Sequence, residues 1–437
     1  MGNVKKMEAD VVVVGSGPGG AVVARDLVMK GLNVILLERG GDNKPTGTAI
    51  AALKYVGGAK ALNNGVFISK EGYQIIRALT NGGTSMMYLG CAWDPPKEVL
   101  DGWGINLDEE TEKIKAELNV NPLPDSLIGP RAKAMTASAV DLGYDWKKIP
   151  KFVKAENCRA NCQQCMFGCP HDAKWQARDW VLDAIDKGLN LILNAKCQKI
   201  ISEKGKAVGV MATGPWNQIY EIRAKAVVSS AGGVGSPGLL QRSGLNEAGQ
   251  SFFFDPFIVV SGYTDTPLKP KHEFPMATGV HLDEEGVMVT DMSMPWVVLA
   301  DNSVFSGKPL NMLKTKTLVG MLVKARDDMD GGISPEEKIL SKPLSENDRK
   351  KLKIGEDVAT DILKNMGAKN IWASNASAAH PGGTCGIGRV VNSDLETRIK
   401  NFFVVDASVI PEPWGLPPTL TVASLARRLS GHIENTI

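Results

Sequence analysis

The stretch that decides the fold is "ADVVVVGSGPGGAVVARDLVMKGLNVILLERG", residues 9–40. Its apolar run, Val11–Val14, predicts a buried strand that leads into a glycine-rich turn and then into a helix rich in Ala, Val and Leu. The glycines of the turn are Gly15, Gly17 and Gly20. In this pattern they permit a tight turn, close approach of backbone N–H groups to a pyrophosphate, and close packing of helix on strand.

A second predicted strand, Val34–Leu37, ends at Glu38. An acid at this point, about 20 residues after the glycines, can accept hydrogen bonds from both hydroxyls of an adenosine ribose. Strand, glycines, helix, strand and acid all occur in the expected order. We therefore predict a dinucleotide-binding unit rather than a glycine-rich turn without function.

The bulk composition limits the other possibilities. The chain has 437 residues, 43% of them apolar, which is enough for two or three domains with ordinary cores. Its net charge is +2, from 50 basic and 48 acidic residues, so no strong field predicts a nucleic acid or an anionic membrane as partner. No apolar run has the length of a membrane-spanning helix, and the valine run is short for a signal peptide. We expect a cytoplasmic protein with reduced thiols.

Two distant stretches add to the nucleotide unit. Residues 77–90, "RALTNGGTSMMYLG", form a second glycine-containing turn with Ser and Thr, suited to bind a pyrophosphate. Residues 401–433, "NFFVVDASVIPEPWGLPPTLTVASLARRLSGHI", predict a strand ending at Asp406, a Pro/Gly loop and a closing helix that starts at Pro418 and Thr419.

With these segments the sequence resembles the glucose-methanol-choline (GMC) oxidoreductase family over most of its length. The matching pieces, in the family's order, are "GSGPGG" with "LLERG", "NGGTS", "GCPHDAKW", "LILNAKCQKI", "AVVSSAGGVGSPGLLQRSGL", "HPGGTCGIG" and "VVDASVIPEPWGLPPTLTVASLARRL". The resemblance implies FAD as cofactor. It assigns the ADP half to Gly15, Gly17, Gly20, Glu38 and Arg39, the adenine to the Cys197 backbone, the pyrophosphate and flavin to Gly82, Gly83, Thr84 and Ser85, and the ribityl chain and flavin to Asp406, Ala407, Pro418 and Thr419.

The resemblance also gives a catalytic candidate, His380 in "NASAAHPGGTCGIG". In the family, the His of this motif handles the proton of a substrate hydroxyl while the hydride goes to flavin N5. A neutral imidazole suits that role near neutral pH, although a lone His outside such a motif is more often structural. Family members usually place a second His or Asn just before the closing helix, but this chain has Pro417, which offers no donor. Asn375, Tyr88 and Trp414 are candidates to replace it.

Four of the seven cysteines, Cys158, Cys162, Cys165 and Cys169, lie within twelve residues. On one helix the outer two would be about 16 Å apart, so shared ligation of a metal needs a compact loop. The C-x2-C-x3-C-P part matches the end of a ferredoxin ligand run, whereas the preceding C-x3-C spacing departs from it. We expect a 4Fe–4S cluster; structural zinc and metal-free thiols are the alternatives.

We therefore predict an α/β fold, with a Rossmann-like FAD-binding domain interleaved with an α+β substrate domain built on an antiparallel sheet. The expected boundaries are 1–95, 190–245 and 375–437 for the FAD-binding domain, 96–189 for a connecting segment that contains the cysteine loop 158–169, and 246–374 for the substrate domain. Strands are expected in "FIVVSG" and "WVVLADN", and a capped, charged helix near Ser345.

The predicted function is that of an FAD-dependent dehydrogenase of a small molecule. It would oxidise a C–OH group, and its electrons would leave through the iron-sulfur cluster to a redox partner protein or a quinone. Two other functions remain open at this point, a reductase of a carbonyl or activated double bond and a non-catalytic electron-transfer subunit. An oligomer is possible.

Overall fold

The computed structural model describes residues 4–62, 64–269, 273–295 and 316–437. Two large sheets organise this part of the chain. One is built around parallel strands and the other is antiparallel, and helices pack against both. The predicted fold class is confirmed. The domain boundaries stay a prediction.

The first sheet is centred on the strand Val4–Val14, which pairs in parallel with Val34–Leu37 on one side and Ile219–Ser229 on the other. Only the last four residues of Val4–Val14 are fully buried, because its first half is polar and runs along the exposed part of Ile219–Ser229. This polar half explains why sequence periodicity placed the strand start at Val11. The strand order is Asn190–Ile192, Val34–Leu37, Val4–Val14, Ile219–Ser229, Lys206–Thr213, Lys196–Glu203, with Phe402–Val404 also paired in parallel to Ile219–Ser229.

The second sheet is antiparallel, and its central strands bury residues on both faces. Its strand order is Lys369–Ala373, Pro256–Tyr263, Leu318–Ala325, Val287–Asp291, Thr278–Leu282, Lys147–Lys148, with Ser377–Ala378 also paired to Pro256–Tyr263. The predicted strand "FIVVSG" lies within Pro256–Tyr263. The other predicted strand, residues 296–302, lies outside the described residues.

Smaller ladders complete the described strands. They are Gln250–Phe252 with Gly331–Ile333 and Leu340–Ser341, Val66–Ile68 with Gln74–Ile76, and Asn121–Pro122 with Pro150–Lys151. The α-helices of the described chain are Pro18–Met29, Ala49–Tyr55, Lys97–Asp101, Asp108–Glu117, Pro130–Asp141, Ala177–Asp186, Gly232–Arg242, Glu346–Asn365 and Thr419–Thr436.

Two predicted helix starts are confirmed. The helix Glu346–Asn365 begins after Ser345, whose hydroxyl accepts a hydrogen bond from the Asp348 N–H while the Asp348 carboxylate accepts one from the Ser345 N–H. The helix that begins at Thr419 follows Pro418, as expected from the proline pair before it. Across the described segments, no helix combines the length and apolar content needed to cross a bilayer.

Candidate active site

A cavity of about 670 Å³ lies between the two sheets and collects most of the predicted site residues. Its volume falls in the range of pockets that hold cofactors and small molecules. Of the residues assigned above to cofactor binding or catalysis, those in its wall are Gly15, Gly17, Glu38, Arg39, Gly83, Thr84, Ser85, Cys197, His380, Asp406, Ala407, Pro418 and Thr419.

The glycine-rich turn forms one wall of the cavity. A Cβ atom at Gly15 would overlap the Ser230 carbonyl, and one at Gly20 would overlap the Gly15 carbonyl. Gly20 therefore allows helix and strand to pack closely, and it lies behind the wall. A Cβ at Gly17 would meet nothing within 4 Å of the described protein, so this position borders open space. That opening is where a ligand can approach the backbone.

Glu38 is buried at the end of its strand and binds the turn. Its carboxylate accepts hydrogen bonds from the Ser16 N–H at 3.1 Å, the Ser16 hydroxyl at 2.6 Å and the Gly40 N–H at 2.6 Å. Burial raises the pKa of Glu38, and these hydrogen bonds oppose that rise. Glu38 therefore holds the glycine turn in shape as well as facing the cavity.

The second glycine turn packs directly on the first. The Gly82 N–H donates to the Ser16 hydroxyl at 3.1 Å, and Gly82 itself adopts a positive φ of 93° behind the wall. The next three residues, Gly83–Ser85, begin a single helical turn that lines the cavity. One serine hydroxyl thus joins the two turns on which the pyrophosphate assignment rests.

The chain returns to this wall at its last strand. The Asp406 carboxylate accepts hydrogen bonds from the Gly232 N–H at 2.9 Å and the Ser236 hydroxyl at 2.5 Å, and burial raises its pKa. The following helix begins at Thr419, and no side chain caps its first turn. Its free N–H groups and positive dipole end therefore border the cavity, where they favour a negative charge.

A cluster of opposite charges in the cavity wall is centred on Glu337. Its buried carboxylate lies 3.0 Å from Arg39, 2.8 Å from Arg77 and 3.3 Å from Arg242. Cys197 lines the wall beside them. Sequence reasoning assigned Arg39 through the family motif but did not detect the carboxylate that neutralises it.

His380 lies in the same cavity with two charged neighbours. Its Nδ1 is 2.9 Å from Asp255 Oδ2 and 3.1 Å from Lys324 Nζ, and Lys324 Nζ is 3.5 Å from Asp255 Oδ2. Burial, and then the Lys324 charge, lower the pKa of His380 to about 4, against the opposing effect of Asp255. The ring is therefore neutral at physiological pH.

Sequence reasoning missed both neighbours of His380. Each is a single charged residue in an apolar run, Asp255 in "FFFDPF" and Lys324 in "MLVKA". A lone charge in a buried segment needs a partner, so these interruptions were the available signal. Burial lowers the pKa of Lys324 to about 8.

The residues considered as substitutes for Pro417 lie in different surroundings. Pro417 itself is in the cavity wall, but neither Asn375 nor Trp414 is among the described residues of that wall. Tyr88 is there, and its hydroxyl donates to the Trp175 carbonyl at 2.9 Å. The polar groups nearest His380 come instead from the second sheet.

The cavity next to His380 is apolar. Its wall residues from this region are Leu89, Phe257, Val259, Met276, Met288, Met292, Met294 and Leu322. Four of these eight side chains are methionines, which adapt to irregular apolar ligands. An apolar molecule with a polar end at His380 and Lys324 fits this lining.

The four clustered cysteines border a second, small cavity of about 10 Å³ together with Arg159, His171 and Lys174. Burial raises the pKa of Cys158 to about 11 and of Cys165 to about 12, which favours neutral thiols. No group of three or more His, Cys, Asp or Glu side chains in the described chain is gathered closely enough to hold a metal ion. The four cysteines thus border one small cavity, and their role as metal ligands stays a prediction.

The cysteine loop touches the large cavity. Met166 and Phe167, between the third and fourth cysteines, are part of its wall. The buried Lys174 ammonium donates to the Cys165 carbonyl at 2.9 Å and to the Ser85 carbonyl at 3.1 Å. A single side chain therefore connects the cysteine loop to the second glycine turn.

The fold is that of a protein with a Rossmann-like nucleotide-binding unit, and its cavity also contains the partly exposed His380. The family model for GMC oxidoreductases matches residues 10–258 with its N-terminal part and residues 315–426 with its C-terminal part. The chain belongs to the GMC oxidoreductase family.

Individual relatives agree with this assignment. An uncharacterised GMC-type oxidoreductase of Mycobacterium tuberculosis (strain CDC 1551 / Oshkosh) is 30% identical over 66% of this chain and 48% of its own length, so the match spans about half of that protein. A long-chain-alcohol oxidase of Arabidopsis thaliana is 25% identical over 99% of this chain and 68% of its own. The crystal structure of pyridoxine 4-oxidase from Mesorbium loti is similar in fold, with a TM-score of 0.76 at 16% identity, over 98% of this chain and 99% of that one.

Proposed function

We propose that this protein is an FAD-dependent dehydrogenase that oxidises the C–OH group of a largely apolar small molecule. The observation that supports this most directly is the shared cavity. It has the glycine turns and Glu38 in one region and a neutral, partly exposed His380 beside an apolar lining in another. Family membership adds the cofactor, since GMC oxidoreductases bind FAD.

The described residues fit FAD. Gly17 leaves open space at the backbone, Gly83–Ser85 present a polar turn beside it, and the uncapped helix at Thr419 directs N–H groups into the cavity. When bound there, FAD would supply a two-electron acceptor for a substrate hydride. The helix terminus would stabilise the negative charge of its reduced form.

The chain's own part in the reaction centres on His380. A neutral imidazole can accept the hydroxyl proton of an alcohol, and the ring has its Nδ1 occupied by Asp255 and Lys324. Nε2 is the nitrogen left to meet a substrate. The methionine-rich wall would hold the substrate body and keep water away from the reacting group.

We further propose that electrons leave through a 4Fe–4S cluster held by Cys158, Cys162, Cys165 and Cys169, to a redox partner protein or a quinone. The convergence of the four thiols on one small cavity supports this, as does the contact of Met166 and Phe167 with the large cavity. The thiols would have to move closer together and lose their protons to bind iron. Zinc or free thiols are the competing assignments.

Anaerobic reduction of the purified protein tests the main proposal. It should contain about one FAD per chain, and a panel of primary and secondary alcohols of increasing apolar size should bleach the flavin absorbance. Bleaching should be fastest with apolar alcohols and weak with polyols of similar length. If no alcohol reduces the flavin, but the reduced flavin is reoxidised by a carbonyl or an activated alkene, the protein is a reductase.

A further inference from the structure

Lys324, like Asp255, contacts His380 and is explained neither by the family motif nor by the proposed reaction. It lies in the strand Leu318–Ala325, and its side chain is 2% exposed. A buried lysine is costly unless it is paired, and Lys324 forms an ion pair with Asp255 at 3.5 Å. The pair places a positive charge 3.1 Å from His380 Nδ1.

Asp255 and Lys324 both contact the same nitrogen of His380, Nδ1, and compete for it. A neutral imidazole carries a single N–H, so Nδ1 either donates to Asp255 or accepts from Lys324. If Nδ1 were bare, its lone pair would face the Asp255 carboxylate oxygen at 2.9 Å, and the two acceptors would repel each other. If Nδ1 is protonated, that contact is a charge-assisted hydrogen bond, and the lysine ammonium can turn toward the same carboxylate. The arrangement with a proton on Nδ1 therefore gives more of these polar groups a hydrogen-bond partner.

The ammonium then has an electrostatic effect on the ring. A second proton on His380 would place two positive charges about 3 Å apart in a buried site, which disfavours the imidazolium. Asp255 acts in the opposite direction. The ring is thus kept neutral with one proton on the nitrogen that faces away from substrate.

We propose that Lys324 is a positioning residue for His380: with Asp255 it fixes the ring proton on Nδ1 and keeps Nε2 without a proton before substrate binds, while Asp255 offsets the charge of the imidazolium that forms when Nε2 accepts the hydroxyl proton of substrate. This rests on the proposed role of His380 as proton acceptor. It accounts for a chain that has Pro417 where the family usually has a second polar residue, because the assistance comes from the second sheet.

Other titratable groups lie around Lys324 and Asp255 and contribute to the measured titration of His380. Lys324 also interacts electrostatically with Cys91 and Asp327, and its charge contributes to lowering the pKa of His281. Asp327 in turn pairs with Lys342 at 3.4 Å. The His380 ring has its hydrogen-bond contacts with Lys324 and Asp255, so changes at these two residues should dominate its titration.

The test is NMR of the holoprotein labelled with ¹³C and ¹⁵N in histidine, with the His380 signal assigned from the spectrum of His380→Asn. The ¹⁵N shifts should give the Nδ1–H form in the wild type. Lys324→Met should raise the titration midpoint of His380 by about one pH unit or more, and Asp255→Asn should lower it. Asn tolerates the positive φ of 48° at position 255, so the backbone is preserved.

Lys324→Arg is the matched control, because it keeps the charge and should leave the midpoint near that of the wild type. If Lys324→Met does not fold, the double variant Lys324→Met/Asp255→Asn leaves no buried charge unpaired and should titrate between the two single changes. Equal midpoints in all variants, or shifts of the same sign for Lys324→Met and Asp255→Asn, would overturn the proposal. The titration needs no alcohol turnover, so it stands apart from failure of the proposed function.

Discussion

At the scale of single residues, the histidine motif has the strongest consequence. We expect His380→Ala to retain FAD but to slow flavin reduction by substrate by about 10²- to 10⁴-fold, the usual contribution of a positioned acid or base. The fold should survive, because Lys324 and Asp255 remain within 3.5 Å of each other after the ring is removed. Stopped-flow absorbance under anaerobic conditions measures the rate. Unchanged flavin reduction would make His380 a structural residue.

Glu38 gives a second prediction at this scale. Glu38→Ala removes the acceptor of three hydrogen bonds from the glycine turn and its neighbour, and with it the predicted ribose contact. Loss of a charge-assisted hydrogen bond costs about 1.5–3 kcal/mol, which corresponds to about 10- to 150-fold weaker FAD retention. Fluorescence of released flavin on dilution measures this. Glu8→Ala, at an exposed acid in the first strand, should retain FAD as the wild type does.

Candidate site residues that belong to a sequence motif are the ones that the structure places near each other. Glycines, Glu38 and His380 belong to local patterns that tolerate few other arrangements, and the structure brings them to one cavity. Asp255 and Lys324 belong to no such pattern. They are 69 residues apart and meet only because their segments adjoin in the second sheet, which a single sequence does not specify.

At the scale of elements, the strand–turn–helix unit separates packing from ligand contact. Gly20→Ala should lower the free energy of unfolding by about 1–3 kcal/mol, because its Cβ would overlap the Gly15 carbonyl. Gly17→Ala has open space in the absence of ligand, so the apoprotein should unfold at the wild-type temperature while FAD retention falls. Thermal unfolding of apo and FAD-loaded forms distinguishes the two. Equal stability losses would show that Gly17 is also a packing residue.

The cysteine loop gives the other prediction at this scale. If it holds a 4Fe–4S cluster, protein prepared anaerobically should contain about four iron atoms per chain. Cys165→Ser should lose the iron and stop reduction of a one-electron acceptor, while substrate still bleaches the flavin. Cys385→Ser changes a buried thiol outside the loop and should keep its iron. Iron-free wild-type protein that turns over rapidly with oxygen would eliminate the cluster.

The starts of helices were easier to predict from the sequence than the start of the first strand. The helix after Ser345 and the helix from Thr419 have capping and proline signals at their starts, and both begin where expected. The first strand begins at Val4, seven residues before its predicted start at Val11. Pairing with Ile219–Ser229 supports this polar segment, which lacks apolar periodicity. The first residue of such a strand is therefore set by a pairing partner that is distant in the sequence.

At the scale of the whole molecule, Glu337 ties distant segments together. Its carboxylate bonds Arg39, Arg77 and Arg242, which come from three separate parts of the chain. Glu337→Gln would leave these cations without their buried counter-charge, and we expect a loss of about 3–5 kcal/mol of stability. Differential scanning calorimetry measures it. Glu336→Gln, at the exposed neighbour, should be neutral.

The same carboxylate has a defined pH dependence. Burial would raise the pKa of Glu337, but Arg77, Arg39 and Lys196 together outweigh burial and lower it. A carboxyl with a lowered pKa in the folded state contributes stability above its unfolded pKa and loses it as the pH falls through the folded value. Wild-type protein should therefore lose more stability than Glu337→Gln on acidification below the ordinary glutamate range. Parallel acid curves would contradict this account.

The strand Phe402–Val404 pairs with Ile219–Ser229, so the cofactor site needs a segment that is synthesised long after the first strand. A ribosome makes the glycine turns first, but Asp406 and the helix that starts at Thr419 emerge only after more than 300 further residues have been translated. Until then the nascent chain has half of a nucleotide site and an exposed apolar strand edge beside it. We therefore expect cofactor binding to follow the synthesis of residues 402–436 rather than to accompany the synthesis of the glycine turns.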